Sequence, residues 1–106
     1  MTAKEQFELP VLWSPEAEQD LLSILDYVWR RASASIAERI VRDIHEACLR
    51  LGAFPDLGKS RPDVRPRLRA IRAHRYVAFY RVTKSAVEIV RVFDERRDVD
   101  LVFPAA

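Results

Sequence analysis

Two stretches in the first half of the chain carry apolar side chains every three or four positions, which is the period of an amphipathic helix. The first stretch predicts a helix over about 15–31, with Ser14 as its N-terminal cap and Pro15 at the first helical position. Its apolar stripe consists of Ala17, Leu21, Ile24, Leu25 and Val28.

The second stretch predicts a helix over about 36–51. Ser35 and Glu38 match a capping box, and Gly52 stands where a left-handed C-terminal cap belongs. The apolar positions here are Ala37, Ile40, Val41, Ile44, Ala47, Cys48 and Leu51. Because the break between the two helices is so short, we expect them to form an antiparallel hairpin.

Strand-like runs flank the helical pair on both sides. Residues 7–13 predict a short first strand, and Pro10, which has no amide proton, makes it an edge strand or one that begins after Pro10. Later runs rich in β-branched and aromatic residues predict strands over Leu68–Ala73, Tyr76–Val82 and Val87–Phe93. The gap between the last two is short enough for a hairpin that places Arg81 opposite Glu88.

Two segments remain. Residues 53–66 hold three Pro and one Gly, which predicts a loop without regular structure, and we expect Phe54 and Leu57 to pack back onto the core. The tail over 94–103 is charged and then apolar, and we expect it to pack along a sheet edge. The order β-α-α-β-β-β predicts an α+β fold, a helical hairpin on a small, mostly antiparallel sheet, in one domain over 1–106.

Charge is distributed unevenly along the 106 residues. Lys plus Arg is 18 and Asp plus Glu is 16, a net charge of +2. Residues 1–60 carry 7 basic and 10 acidic side chains, net −3, whereas residues 61–106 carry 11 basic and 6 acidic, net +5. Seven Arg but only one acid, Asp63, lie between Arg61 and Arg81. This pattern favours a surface that binds an anionic partner, with a solvated face and long-range ion pairs as the alternative.

Few residues suggest catalysis. One cysteine excludes an internal disulfide, and two histidines are too few for a His-rich metal site, so we expect no metal and no cofactor. Cys48 lies on an apolar stripe and is expected to be a buried hydrophobe. Two acidic pairs have spacings at which a cation could bind, although solvated faces explain them better. These pairs are Glu16 with Asp20 and Glu95 with Asp98.

Aromatic residues alternate with the basic region at Tyr76, Phe79 and Tyr80. Stacking on nucleic-acid bases is one use, and packing in a sheet core, with the tyrosine hydroxyls at its rim, is the other. The longest apolar run is too short for a membrane span, and the N-terminus lacks the apolar region of a signal peptide. We therefore expect a soluble protein of the cytoplasm with no membrane partner.

In order along the chain, the residues resemble the ParE-type toxins of the ParE/RelE superfamily of bacterial toxin–antitoxin modules. The pieces that carry the resemblance are Trp13-Ser14-Pro15-Glu16-Ala17, Leu68-Arg69, Arg72-Ala73-His74-Arg75-Tyr76-Val77, Phe79-Tyr80-Arg81-Val82, Val87–Val92 and Arg97-Asp98. The resemblance implies a helical hairpin on an antiparallel sheet and a hetero-oligomer with a cognate ParD-like antitoxin. It also implies one of two targets, DNA gyrase for ParE-type members or mRNA on the ribosome for RelE-type members.

The two branches differ in the chemistry they need. RNA cleavage requires a general base, a general acid and cations on the phosphate. The positions that supply these groups in RelE-type enzymes correspond here to Leu68, Ala70, Val77 and Phe103, and only Arg96 or Arg97 keeps a cationic role. This favours a gyrase-binding toxin without catalysis of its own. The chain also departs from many ParE-type toxins in having Asp94 where they place a His.

The sequence thus predicts a ParE-type inhibitor of DNA gyrase that is neutralised by its antitoxin. The residues expected to contact antitoxin or target are Arg65, Arg69, Arg72, Arg75, Arg91, Arg96 and Arg97. One alternative is a ribosome-dependent mRNA endonuclease, for which the candidate residues are His74, Tyr80 and Arg81. A non-toxic interaction module is the other alternative.

Overall fold

A computed structural model of the chain describes residues 8–104. Its elements are β1 (Val11–Trp13), α1 (Pro15–Arg31), α2 (Ala34–Leu49), β2 (Lys59–Ser60), β3 (Arg69–Ala73), β4 (Tyr76–Val82), β5 (Val87–Asp94) and α3 (Val99–Val102). The five strands form one sheet in the order β1-β5-β4-β3-β2, in which only the β1–β5 pairing is parallel. The predicted α+β fold is confirmed.

The first strand and the start of the first helix are both held against β5. The strand begins after Pro10, as one of the two readings predicted, and residue 7 of the predicted range lies outside the described residues. Ser14 caps α1, because its Oγ accepts from the amide of Ala17 at 2.9 Å. The same hydroxyl donates to the carbonyl of Val90 at 2.8 Å, which fixes the start of α1 against β5.

The second helix begins two residues earlier than predicted. Ser33, not Ser35, is the cap, with its Oγ accepting from the amide of Ile36 at 3.2 Å, so the predicted capping box is wrong. The helix tightens into a 3₁₀ turn over Arg50–Gly52, and Gly52 does not have the positive φ of a left-handed cap. Glycine is required there because a Cβ would lie 2.6 Å from the carbonyl oxygen of Leu9.

The proline-rich loop is more ordered than its composition predicted. It contains β2, which pairs antiparallel with β3. Phe54 and Leu57 do not pack onto the core, since they are 63% and 53% exposed. The loop is held to the core by Tyr80 of β4 instead. The Tyr80 hydroxyl donates to the carbonyl of Pro55 at 2.7 Å and accepts from the amide of Gly58 at 2.8 Å.

The sheet is covered on both faces. The helical hairpin packs on one face over a large core that includes Cys48, as predicted, and burial raises the pKa of its thiol to about 12. A smaller cluster covers the second face with Leu68, Phe79, Phe93 and Phe103. Phe103 follows α3, so the tail packs on a face of the sheet and not along its edge as predicted.

Candidate binding surfaces

Four of the seven arginines proposed for binding form ion pairs. Arg72 pairs with Glu95 at 3.1 Å, and Arg91 pairs with Asp20 at 2.8 Å. Arg75 and Arg96 both pair with a single acid, Asp94, at 3.2 and 3.0 Å. Three of these four pairs lie within the second half, and only Asp20 brings a negative charge to it from the first half of the chain.

The other three arginines donate to backbone oxygens or lie over aromatic rings. Arg69 donates to the carbonyls of Asp56 and Gly58, each at 3.1 Å, and so holds the proline-rich loop to β3. Arg65 donates to the carbonyl of Pro104 at 3.1 Å and lies 5.5 Å from the ring centre of Phe103. Arg97 lies 5.7 Å from the ring centre of Phe93.

Three guanidinium groups in all lie over the phenylalanines of the second face, since Arg61 lies 5.7 Å from the ring centre of Phe79. The rings themselves are in contact, with Phe79 centred 5.1 Å from Phe93 and 5.2 Å from Phe103. Arginine stacks on such rings by its planar face and keeps its N–H groups turned outward. This face can therefore present fixed hydrogen-bond donors to an anionic partner.

Asp94 is the centre of the charge arrangement at the end of β5. Its carboxylate accepts from the Nε and the second guanidinium nitrogen of Arg96 and from the Arg96 amide, while Arg75 approaches from the β3–β4 turn. Hydrogen bonds from Arg96, and then the charges of Arg96 and Arg75, lower the pKa of the Asp94 carboxyl below its ordinary value.

An apolar depression opens beside this carboxylate. A cavity of about 270 Å³ adjoins a second one of about 380 Å³, and both are lined by Tyr27 and Tyr76. We call the pair the hairpin-end groove, because it lies between the connected ends of α1 and α2 and the ends of β4 and β5. Its apolar residues are Ile24, Tyr27, Val28, Ile36, Ile40, Tyr76, Val92 and Phe93.

The rim of the hairpin-end groove is positively charged. Arg31 lies at one end, 4.9 Å from the ring centre of Tyr27, and Arg97 lines the other end. Arg75 lines the second cavity, and Arg96 pairs with Asp94 beside the first. Asp20, which is bonded to Arg91, is a second carboxylate in the lining of the first cavity. The three arginines that line the cavities outnumber the two carboxylates, so an apolar floor with a positive rim suits an acidic segment with apolar side chains.

Sequence patterns did not identify which residues line this groove. Tyr27 is 42% exposed and lies off the main apolar stripe of α1. Ile36 is 44% exposed and lies outside the predicted stripe of the second helix, and Ile40, which is part of that stripe, is only partly buried against the core. The one available signal was a second set of apolar residues on the sides of the helices. A groove built from four elements can be recognised only when those elements are packed together.

The residues proposed for RNA cleavage do not share a site. His74 lies in the β3–β4 turn, where its Nε2 lies 2.7 Å from a carboxylate oxygen of Asp43 in α2. Arg81 lies toward the other end of β4, roughly 17 Å along the strand at about 3.3 Å per residue. It pairs at 2.6 Å with Glu88, the partner that the hairpin register predicted.

Tyr80 is fully buried, and its hydroxyl bonds to the proline-rich loop. The prediction that the tyrosine hydroxyls lie at a rim is therefore wrong for Tyr80. The prediction that Tyr76, Phe79 and Tyr80 pack in the core of the sheet is confirmed. A side chain held in this way cannot reach a substrate. Tyr80 is best described as a structural residue that fastens the loop to the sheet.

The aspartates of the two acidic pairs are both bonded within the protein. Asp20 bonds to Arg91 and to the amide of Val92, and Asp98 caps α3 through the amide of Asp100. Across residues 8–104, no three His, Cys, Asp or Glu side chains gather as a metal site would require. In the same part of the chain, no helix has the length and apolar character needed to cross a bilayer.

Comparisons with known proteins agree on one family. The sequence model described as "ParE toxin of type II toxin-antitoxin system, parDE" matches residues 11–99. A protein named Toxin ParE1 from Mycobacterium tuberculosis is 36% identical over 90 residues, which cover 84% of this chain and 92% of that protein. Toxin ParE3 of Caulobacter vibrioides is 31% identical over 80 residues, 76% of this chain and 80% of that one.

A solved structure gives the same result for the fold. A chain from a structure titled "Chromosomal ParDE TA system from P. aeruginosa" superposes with a TM-score of 0.73 at 25% sequence identity. The match covers 82% of this chain and 96% of that one.

Proposed function

The chain belongs to the ParE toxin family of type II toxin–antitoxin systems, and we propose that it arrests growth by binding DNA gyrase, without a reaction of its own. The match of the family model across residues 11–99 carries this proposal. The separation of His74, Tyr80 and Arg81 supports the non-catalytic part, because proton transfer needs groups within hydrogen-bond reach of one substrate.

The test for the target is a supercoiling assay with purified gyrase. Relaxed plasmid is incubated with gyrase, ATP and increasing amounts of the chain, and trapping with detergent and protease reveals cleaved DNA. We expect supercoiling to fall and linear DNA to accumulate. Unchanged supercoiling at a large excess of the chain, with no cleaved DNA, would contradict the proposal.

A second assay separates gyrase from the ribosome as the target. The chain is added to a translation reaction, and primer extension maps the ends of the mRNA. We expect intact mRNA. Cuts in phase with the codons would instead favour the endonuclease alternative, and growth that continues when the chain is expressed alone would favour the non-toxic interaction module.

The partner that neutralises the chain is a ParD-like antitoxin, and we propose that it binds in the hairpin-end groove. We place this complex in the cytoplasm. The apolar floor would take aliphatic or aromatic side chains of the antitoxin, and the rim would take its carboxylates. On this arrangement Arg75, Arg96 and Arg97 contact the antitoxin. Arg65 stays available on the other face for the target, while Arg69 and Arg91 serve the fold.

Two substitutions on one helix test this location. Tyr27 lines both cavities, whereas Trp29, two residues further along α1, is 58% exposed and lies outside the groove. We expect Tyr27→Ala to weaken antitoxin binding at least about tenfold, as for a buried aromatic contact. Trp29→Ala removes a larger aromatic side chain and should leave the affinity within about twofold. Equal effects of the two substitutions would place the antitoxin elsewhere.

A further inference from the structure

Asp94 holds a position at the hairpin-end groove that a carboxylate of the partner could also take. It lies at the end of β5, lines the first cavity, and binds the guanidinium groups of Arg75 and Arg96. Its side chain is only 17% exposed, whereas those of Arg75 and Arg96 are 46% and 68% exposed. Arg75 and Arg96 are thus exposed to solvent, while Asp94, the carboxylate that pairs with them, is mostly buried.

We propose that Asp94 is a specificity-determining residue, an internal competitor for the carboxylate of the antitoxin segment that binds the hairpin-end groove. The inference rests on the antitoxin location proposed above. In the free chain the single carboxylate of Asp94 pairs with both Arg75 and Arg96 and offsets one of their two charges. An acidic side chain of the partner must share these two cations with Asp94. It therefore gains less electrostatic binding energy from them than it would from unpaired arginines.

This arrangement sets which segments bind. Arg31 and Arg97 at the two ends of the groove have no acidic partner among residues 8–104, so they can attract a carboxylate at full charge. Asp94 lowers the attraction at the middle of the rim. A segment with carboxylates toward its ends and an apolar or cationic residue opposite Asp94 is therefore favoured over a uniformly acidic one.

The substitution Asp94→Asn tests the inference, because it keeps the shape of the side chain and removes its charge. Both arginines then lack a counter-charge, and the net charge of the rim rises by one. We expect the antitoxin to bind about three- to tenfold more tightly, mainly through faster association, as for one exposed charge pair. The difference should nearly vanish in 0.5 M NaCl, where exposed charges are screened.

Asp63→Asn is a matched control. Asp63 also binds an arginine through a bidentate hydrogen-bonded pair, with Arg61 at 3.0 Å, and hydrogen bonding likewise lowers the pKa of its carboxyl. It lies in the proline-rich loop, outside the groove. The control makes the same change of charge, so tighter binding by both variants would mean that net charge alone is responsible and would overturn the inference.

A purely structural role for Asp94 predicts the opposite change in antitoxin affinity for the Asp94→Asn variant. Loss of an ion pair would then destabilise the chain and weaken the complex together, whereas competition predicts lower stability with tighter binding. Stability is measured by urea unfolding, and affinity by association and dissociation rates with the cognate ParD-like antitoxin. Weaker or unchanged binding by Asp94→Asn would overturn the inference. Failure of the unaltered chain to bind that antitoxin would overturn the antitoxin proposal itself.

Discussion

Asp20 of α1 and Arg91 of β5 are 71 positions apart in the chain and form a pair of hydrogen bonds, at 2.8 and 3.0 Å. The same carboxylate accepts from the amide of Val92 at 2.8 Å. β1 pairs with β5 only as far as Ile89, so beyond it the edge of β5 lacks a strand partner, and Asp20 takes that place. The hydrogen bond to Asp20, ahead of its charge, raises the pKa of the Arg91 guanidinium.

Asp20→Ala should therefore destabilise the fold. The substitution leaves a partly buried arginine and an edge amide without their acceptor, which costs about 2–4 kcal/mol of unfolding free energy. Urea unfolding followed by circular dichroism measures this loss. Glu18→Ala, an exposed acid on the same helix, is the control and should stay within about 0.5 kcal/mol of the unaltered chain. A loss of similar size in both variants would contradict the role given to Asp20.

Tyr80→Phe should weaken the attachment of the proline-rich loop. Removal of the hydroxyl leaves the carbonyl of Pro55 and the amide of Gly58 without their partner, at a cost of about 1–3 kcal/mol. Because the residue is buried and structural, the toxic activity per folded molecule should not change. Unfolding experiments and the supercoiling assay measure the two effects separately, and a large loss of activity in a stable Tyr80→Phe protein would contradict this assignment.

Acid should remove the contribution of Asp94 to stability. Its pKa in the folded chain is below the ordinary value of 3.8, so the stabilisation is complete above that pH and is lost as the pH falls below it through the folded pKa. We expect the stability difference between the unaltered chain and Asp94→Asn to be constant from about pH 5 upward and to shrink below about pH 4. Urea is the suitable denaturant, because guanidinium chloride screens the pair. A difference independent of pH down to pH 2 would contradict the ion pairing.

Arg67→Gly should stabilise the chain relative to Arg67→Ala. Arg67 has a φ of 64°, in the left-handed region that a residue with a Cβ enters at a cost of about 1–2 kcal/mol. Both substitutions remove the same charge, and only glycine relieves the strain, at some cost in chain entropy. Thermal unfolding should show the Gly variant about 1 kcal/mol more stable than the Ala variant. A more stable Ala variant would contradict the argument.

Local patterns predicted most of the elements correctly. The Ser14 cap of α1, the three long strands and the Arg81–Glu88 pair depend on residues close in sequence, or on the register of a single hairpin. Errors arose where two local signals were nearly equal. Ser33 and Ser35 are both good caps, and the helix begins at the earlier one because nothing between them breaks it.

Local sequence patterns predicted the binding surfaces less well. A cluster of arginines predicts an anionic partner, yet the acids that neutralise Arg72, Arg75, Arg91 and Arg96 are Glu95, Asp94 and Asp20, most of them distant in the sequence. Tyr27 and Tyr76 contribute to the groove from elements 49 positions apart. Their proximity follows from the packing of the hairpin on the sheet.

By itself, the sequence determined the α+β class, the helical hairpin and the surplus of positive charge in the second half, because hydrophobic period, capping and turn chemistry act over a few residues. Only the tertiary structure decided which arginines form ion pairs, which carboxylates line the groove and which tyrosine is structural. Electrostatic and packing energies depend on distance in space. Folding is what brings Asp20 to Arg91, and Arg75 and Arg96 to Asp94.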